Sequence, residues 1–210
     1  QGKHYRYGCR SERGNSMTWP ATTKNALLDG LTFTHASAHT DFPSNTGANE
    51  VTGGAPAYAR KAVTMNAASG GIRPLNASVA WDVPACTVKW LGLWNSTTFV
   101  GCAPNGGATP KNFMSVASSD TVYAAGHGYS DTQKIVFFNG TPPGGLTEGV
   151  TYFVRDAATD TFKVAATSGG VAIDLTSAPS FGCVVAAITE NVYASQDTHT
   201  LSSASFVVPD

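Results

Sequence analysis

Charge is what this sequence has least of. Asp, Glu, Lys and Arg make up 13% of its 210 residues, about half of the usual share of about 25%. Lys3, Arg6, Arg10 and Arg13 against Glu12 give the first sixteen residues +3, which leaves -4 for the rest of a chain whose net charge is -1. That remainder offers no broad basic face, so no nucleic-acid partner is expected. Long apolar runs are missing too: nothing approaches the roughly 18 consecutive apolar residues of a spanning helix, and no membrane insertion is expected. The four cysteines, Cys9, Cys86, Cys102 and Cys183, never fall within the two to four residues of one another that zinc sites favour. There is no GxSxG elbow for a serine nucleophile. The segment "DAATDT" has two aspartates but lacks the alternating oxygen ligands and distal Glu of an EF-hand loop.

Small and turn-forming residues fill the space instead. With 22 Gly and 11 Pro, and Thr, Ser and Ala through much of the rest, the profile is that of short strands joined by many turns. The fold expected is all-β: an antiparallel β-sandwich with one short N-terminal helix and an inserted small β-barrel module. Residues 1–16 read as a basic extension, disordered or added upstream of a natural start at Met17, with an arm that docks on an acidic partner as the rival reading. Thr18 as cap, Pro20 in the first turn, "ATTKNALLD" and a left-handed Gly30 mark the helix. After it "LTFTHASAHT", "AYARKAVTM", "ASVAWDV", "CTVKWLGLW" and "TTFVGC" read as sandwich strands, with Val79, Trp81 and Val83 on one face and Val88, Trp90 and Trp94 on another.

From residue 117 the turns tighten. "NGTPPGG", "DAATD" and "TSGG" separate about five strands near 121–125, 134–138, 150–155, 161–165 and 171–175. Residues 117–187 therefore read as an inserted β module that can close on itself, and 17–116 with 188–210 as the sandwich. On this reading, excising the module leaves a folded sandwich.

Sites are few. His35 and His39 are in strand-like surroundings, about 13 Å apart at the usual rise, too far to share a metal, and read as polar residues on an exposed face. In "AGHGYSD" the residues His127, Tyr129 and Asp131 form a candidate exposed binding loop. A hairpin centred near Trp94 sets Cys86 opposite Cys102, and either a cross-strand disulfide or a pair of reduced thiols satisfies that placement. The run "TGANEVTGGAPAYAR" permits a tight turn and close approach of another backbone. Asn49, Glu50, Tyr58 and Arg60 are its candidate assembly contacts, with Arg60 available for a neighbour's carboxylate. No catalytic residue, metal or cofactor is expected.

Taken in order, "ALLDGLTFTHASAHT", "TGANEVTGG", "AYARKAVTM", "WDVPACTVKWLGLW" and "TTFVG" resemble the short tail-fibre-like or minor tail proteins of bacteriophages and prophages. The likeness spans residues 17 to about 103 and resumes at "ASQDTHTLSSASFVV". The stretch from "AAGHGYSDTQKIVFFNG" to "GGVAIDLT" is similar to a β module that recurs in phage tail fibres and adhesins. The resemblance implies a virion structural protein, assembled in the bacterial host cytoplasm into a symmetric homo-oligomer with other virion proteins, and a host surface glycan as a further partner. It implies a tail tip or tail fibre first and a capsid decoration or head-fibre protein second. A free carbohydrate-binding module or hydrolase acting on the host envelope is the reading from another class.

Overall fold

The structure, a computed structural model, describes residues 19–207. The basic extension, Cys9, Met17 and the expected cap Thr18 lie outside the described residues. Helix α1 runs Ala21–Gly30, with Pro20 at its N-cap position. Gly30 does not end it in a left-handed turn as expected: it stays helical, and Leu31 leaves in an extended conformation at φ -75° and ψ 129°. The reason lies across the chain. Arg73 Nη1 donates to the carbonyls of Leu28 at 2.8 Å and Leu31 at 2.6 Å, so a guanidinium satisfies the terminal carbonyls that a left-handed glycine otherwise would.

The sandwich is all antiparallel. Its strands are β1 His35–His39, β2 Lys61–Ala62, β3 Ile72–Pro74, β4 Val79–Val83, β5 Cys86–Val88, β6 Trp90–Asn95 and β7 Thr98–Pro104. One layer is a sheet in the order β2-β1-β6-β7. The other is a long ribbon in which residues 72–88 run against 191–207 in three short ladders, pairing Ile72 with Val207, Trp81 with His199 and Val88 with Asn191. Alternation in β4 buries Val79, Trp81 and Val83 as the sequence predicts. They pack with Val88 against Ala36 and Ala38 of β1. "CTVKWLGLW" does not form one strand but divides between the two layers, β5 in the ribbon and β6 in the sheet.

The next seven strands make one sheet: β8 Lys111–Asn112, β9 Met114–Val116, β10 Thr121–Tyr123, β11 Lys134–Phe138, β12 Thr151–Arg155, β13 Thr161–Ala165 and β14 Val184–Ala187, in the order β8-β14-β11-β12-β13-β10-β9. The edge strands β8 and β9 are consecutive in the chain with only Phe113 between them. Two Cα steps of about 3.8 Å each therefore join one edge to the other, and the sheet is rolled. Phe113, Val122, Ile135, Phe137, Val154, Phe162 and Leu175 fill its interior. Among the described residues no ladder joins β8 to β9; the covalent chain bridges them.

The rolled sheet begins at Lys111, six residues before the expected boundary, because "KNFMSV" supplies both edges. The strand expected at 171–175 is reduced to a bridge between Ala172 and Ala165. Its backbone adds little pairing, but Leu175 turns inward and is 1% exposed. Strands β15 Asn191–Tyr193, β16 Asp197–Leu201 and β17 Ser205–Val207 then complete the ribbon.

A third apolar cluster joins the two units. Trp90 of β6 packs with Val136, Phe138, Ala186 and Ile188, while Phe42 and Cys102 close its side. The outer face of the rolled sheet is thus the inner face of this seam. Polar groups fasten its end: Glu190 is bonded by Lys134 Nζ and by Thr151 Oγ1 at 2.9 Å, with Lys89 Nζ 3.9 Å away. Burial raises the Glu190 carboxyl, but those hydrogen bonds and the two lysine charges outweigh it and hold the group below its ordinary value.

Candidate functional site

The candidate assembly contacts bond within the chain. Glu50 accepts from Arg60 Nε at 2.9 Å and Nη2 at 2.8 Å, a fork-like pair within the chain. The Arg60 guanidinium also lies 3.2 Å over the Trp94 ring. Arg60 is therefore not held free for a neighbour's carboxylate, which corrects the expectation. Tyr58 Oη accepts from the Ala38 amide at 2.8 Å, and Asn49 Nδ2 donates to the Phe42 carbonyl at 2.8 Å from a left-handed backbone with φ 59°. Gly47 answers the need for small residues: at φ 75°, a Cβ there would lie 2.5 Å from the Trp94 ring. At Gly47 the run closes over the Trp94 ring.

Beneath it lies a buried polar chain. Trp94 Nε1 donates to Ser37 Oγ at 2.8 Å, Ser37 Oγ lies 2.7 Å from His39 Nε2, and His39 Nδ1 lies 2.7 Å from the Ala48 carbonyl. The carbonyl can only accept, so His39 carries its proton on Nδ1, and Nε2 accepts from the serine. The pair has the spacing of a nucleophile and its base. Ser37 and His39 are, however, both 0% exposed, and they brace the sheet. His39 was expected on an exposed strand face. It is buried because the segment through Ala48 and Glu50 bridges β1 there and covers the ring, which also lies 6.1 Å from that of Phe99.

Burial pushes His39 below its ordinary value despite the opposing pull of the Ala48 carbonyl and Glu50, and burial does the same to His199. Both are neutral in the fold and take up a proton near pH 6.5 once unfolded. The unfolded state then binds more protons, so stability is expected to fall as pH drops below about 6.5. Urea unfolding at pH 7.5, 6.5 and 5.5 checks this: His39→Gln flattens the decline, and a flat wild-type profile contradicts it.

The candidate exposed loop is a packed corner. His127 is 6% exposed and its ring lies 5.0 Å from those of Tyr129 and Phe162. Its Nδ1 accepts the Tyr129 amide at 2.8 Å, Tyr129 Oη donates to the Val185 carbonyl at 3.3 Å, and Asp131 Oδ1 accepts the Ala157 amide at 2.9 Å. His127 is buried and Tyr129 half-buried, which corrects the expectation of exposure for those two, while Asp131 is exposed. Glycines on either side of His127 let the chain fold the ring inward, a signal that also fits an exposed loop.

Cys86 and Cys102 are free cysteines in different layers. Cys86 pairs with Tyr193 and Cys102 with Gly92, because the hairpin partner of β7 is β6 alone. No disulfide joins them. Burial pushes the Cys102 thiol up to about 11, with the Glu148 charge adding to it, and the same two causes bring Cys183 to about 11.

What sequence reading did not find is an open cleft of about 690 Å³ where the units meet. The sandwich lends Phe42, Asn45 and Phe99, and the rolled sheet lends Phe138, Asn139 and Glu148. Glu148 Oε1 accepts the Gly140 amide at 3.1 Å. Gly149 allows the approach, since a Cβ there would lie 2.2 Å from the Phe42 ring. These residues are far apart in sequence and gather only when the units dock. Among the described residues, no group of three or more His, Cys, Asp or Glu side chains is placed to hold a metal ion. No family model matches the chain, and no curated protein or solved structure matches it either.

Proposed function

We propose that this protein is a bacteriophage virion structural component, part of a tail tip or tail fibre, that acts by assembly and adhesion and not by catalysis. The observation that carries the assembly reading is the outer hairpin of the rolled sheet. Met114, Val116 and Tyr123 are 64%, 47% and 40% exposed, and Met114 stands opposite Tyr123 in the β9–β10 ladder. Val122, with the opposite facing, is fully buried, so the three exposed side chains share the outer face. Strand β9 is laddered on one side only. An exposed apolar patch of this kind suits contact with another chain. Phe181, fully exposed, lines a second cleft together with Met114 and extends the apolar surface.

The carboxylates support the same reading. Glu50, Asp131, Asp160 and Glu190 each accept hydrogen bonds from within the chain, which suits structural use. Replacing Met114 and Val116 by Lys tests the proposal. The substitutions are on the surface and are expected to leave melting within about 0.5 kcal/mol of wild type. Incorporation of the doubly substituted protein into purified particles is expected to drop at least about tenfold, the equivalent of about 1.4 kcal/mol of contact. Wild-type incorporation would contradict assembly through this surface.

A further inference from the structure

We propose that the cleft between the sandwich and the rolled sheet is a binding site for a neutral glycan segment. The inference rests on the adhesion reading and names the ligand class and its site. Small-ligand sites favour junctions between structural units, run to roughly 300–1,000 Å³, and combine apolar walls with a few placed polar groups. This cleft meets each condition. Phe42 and Phe99 are half-buried in its walls, and Phe138, 8% exposed, closes its floor. Phe42 and Phe138 pack on Trp90 and Phe99 on Trp94, and their remaining surfaces line the cleft as apolar faces on which the C–H groups of a sugar can rest.

Hydrogen-bonding groups surround those faces. Asn45 is exposed and has no hydrogen-bond partner among the described residues. Asn139 is exposed, with Nδ2 at 3.5 Å from the Gly182 carbonyl and Oδ1 unused. Glu148 uses Oε1 for the Gly140 amide, which leaves Oε2 to accept from a ligand hydroxyl. Two amides that both donate and accept, with one carboxylate that only accepts, match the hydroxyls of a sugar.

Charge narrows the class further. No Lys or Arg lines the cleft, and the negative charge of Glu148 is felt at Cys102 on the opposite wall and at Cys183. A phosphate, a sulfated sugar or a sialic acid would meet that charge without a counterion. The Cys102 thiol is protonated at neutral pH and serves as wall, not nucleophile. Single-site affinity for a neutral sugar in so open a cleft is weak, and repeated copies in a symmetric array raise it by avidity.

The test uses the full chain. Saturation-transfer NMR is run with the trimer of N-acetylglucosamine, with maltotriose and with sialyllactose as the acidic probe. At least one neutral trisaccharide is expected to receive saturation and sialyllactose none. Asn139 has φ 65°, which glycine adopts without strain, so Asn139→Gly removes the amide and keeps the turn. It and Glu148→Gln are each expected to weaken binding about tenfold, while Val171→Lys, at an exposed position outside the cleft, leaves it unchanged. Absence of transfer to both neutral probes, preference for sialyllactose, or wild-type binding by Asn139→Gly and Glu148→Gln overturns the inference. The two readings fail separately: the glycan site fails in these solution spectra, and the virion role fails when the wild-type protein is absent from particles.

Discussion

Replacing Trp90 with alanine is expected to destabilise the protein by about 3–5 kcal/mol, the range for deleting a large aromatic side chain from a packed core. Trp90 is 0% exposed, with Phe42 at 4.9 Å and Phe138 at 5.5 Å between ring centroids. It is the one large ring of the sandwich sheet that faces the rolled sheet within the seam cluster, so the cavity opens between the units. The unfolding curve is therefore expected to change shape as well as midpoint, with two transitions replacing one as the seam loses its grip. Trp90→Phe is the control. Its indole Nε1 is buried without a hydrogen-bond partner, and removing that unpaired donor offsets part of the lost volume, so a change under about 1.5 kcal/mol is expected. Equal loss from both variants, or a Trp90→Ala protein that still melts in one transition near wild type, contradicts the seam. The same packing reverses the expectation for excision. Without residues 111–187, Trp90, Phe42 and Ile188 lose their cover, and the remaining sandwich is expected not to melt cooperatively.

Gly92→Ala is the second large effect. A Cβ at Gly92 would lie 2.5 Å from both His39 Nε2 and Ser37 Oγ and 3.0 Å from Phe99. Those are the two atoms of a buried hydrogen bond, so neither can give way without leaving the other unpaired. Overpacking costs about 1–3 kcal/mol and a buried orphaned polar group about 1–3 kcal/mol more, which sets the expected loss at about 2–6 kcal/mol. Gly101→Ala in the next strand is the matched control. Nothing lies within 4 Å of its added Cβ and its φ is not positive, so a change within about 0.5 kcal/mol is expected. Thermal and urea unfolding of the two variants side by side checks the contrast. Similar stabilities would show that the Ser37–His39 pair does not brace the sheet.

How much of this was legible follows from the range of each interaction. Alternation at Val79, Trp81 and Val83 is a local signal, and it placed β4 correctly; the paucity of charge and the many turn residues likewise pointed to an all-β fold. The helix was found from Pro20 and "ATTKNALLD". Its C-terminal geometry was not, because Arg73, distant in sequence, satisfies its carbonyls. Small residues in "TGANEVTGG" announced a close approach, but composition cannot say whether the approaching group belongs to the same chain. Here it is the Trp94 ring. Glycines around His127 gave the same ambiguity with the same outcome. "KNFMSV" reads as part of the sandwich because the turns tighten only from residue 117; the strand order reveals that these residues form both edges of the rolled sheet. The cleft was beyond reach altogether, since Phe42, Phe99 and Glu148 become neighbours through docking of the units, with no periodicity to mark them.

The central claim is that this chain is built into a phage particle and displays its rolled sheet there. Immunogold electron microscopy of the particles encoded beside its gene, with antibody raised against residues 111–187, tests it most directly. Gold at the tail end is the predicted result. Gold spread over the head would keep the structural role and make the protein a capsid decoration, contradicting the tail location. Particles that carry no label, from cells in which the protein is expressed, would contradict the claim itself and favour a free carbohydrate-binding protein.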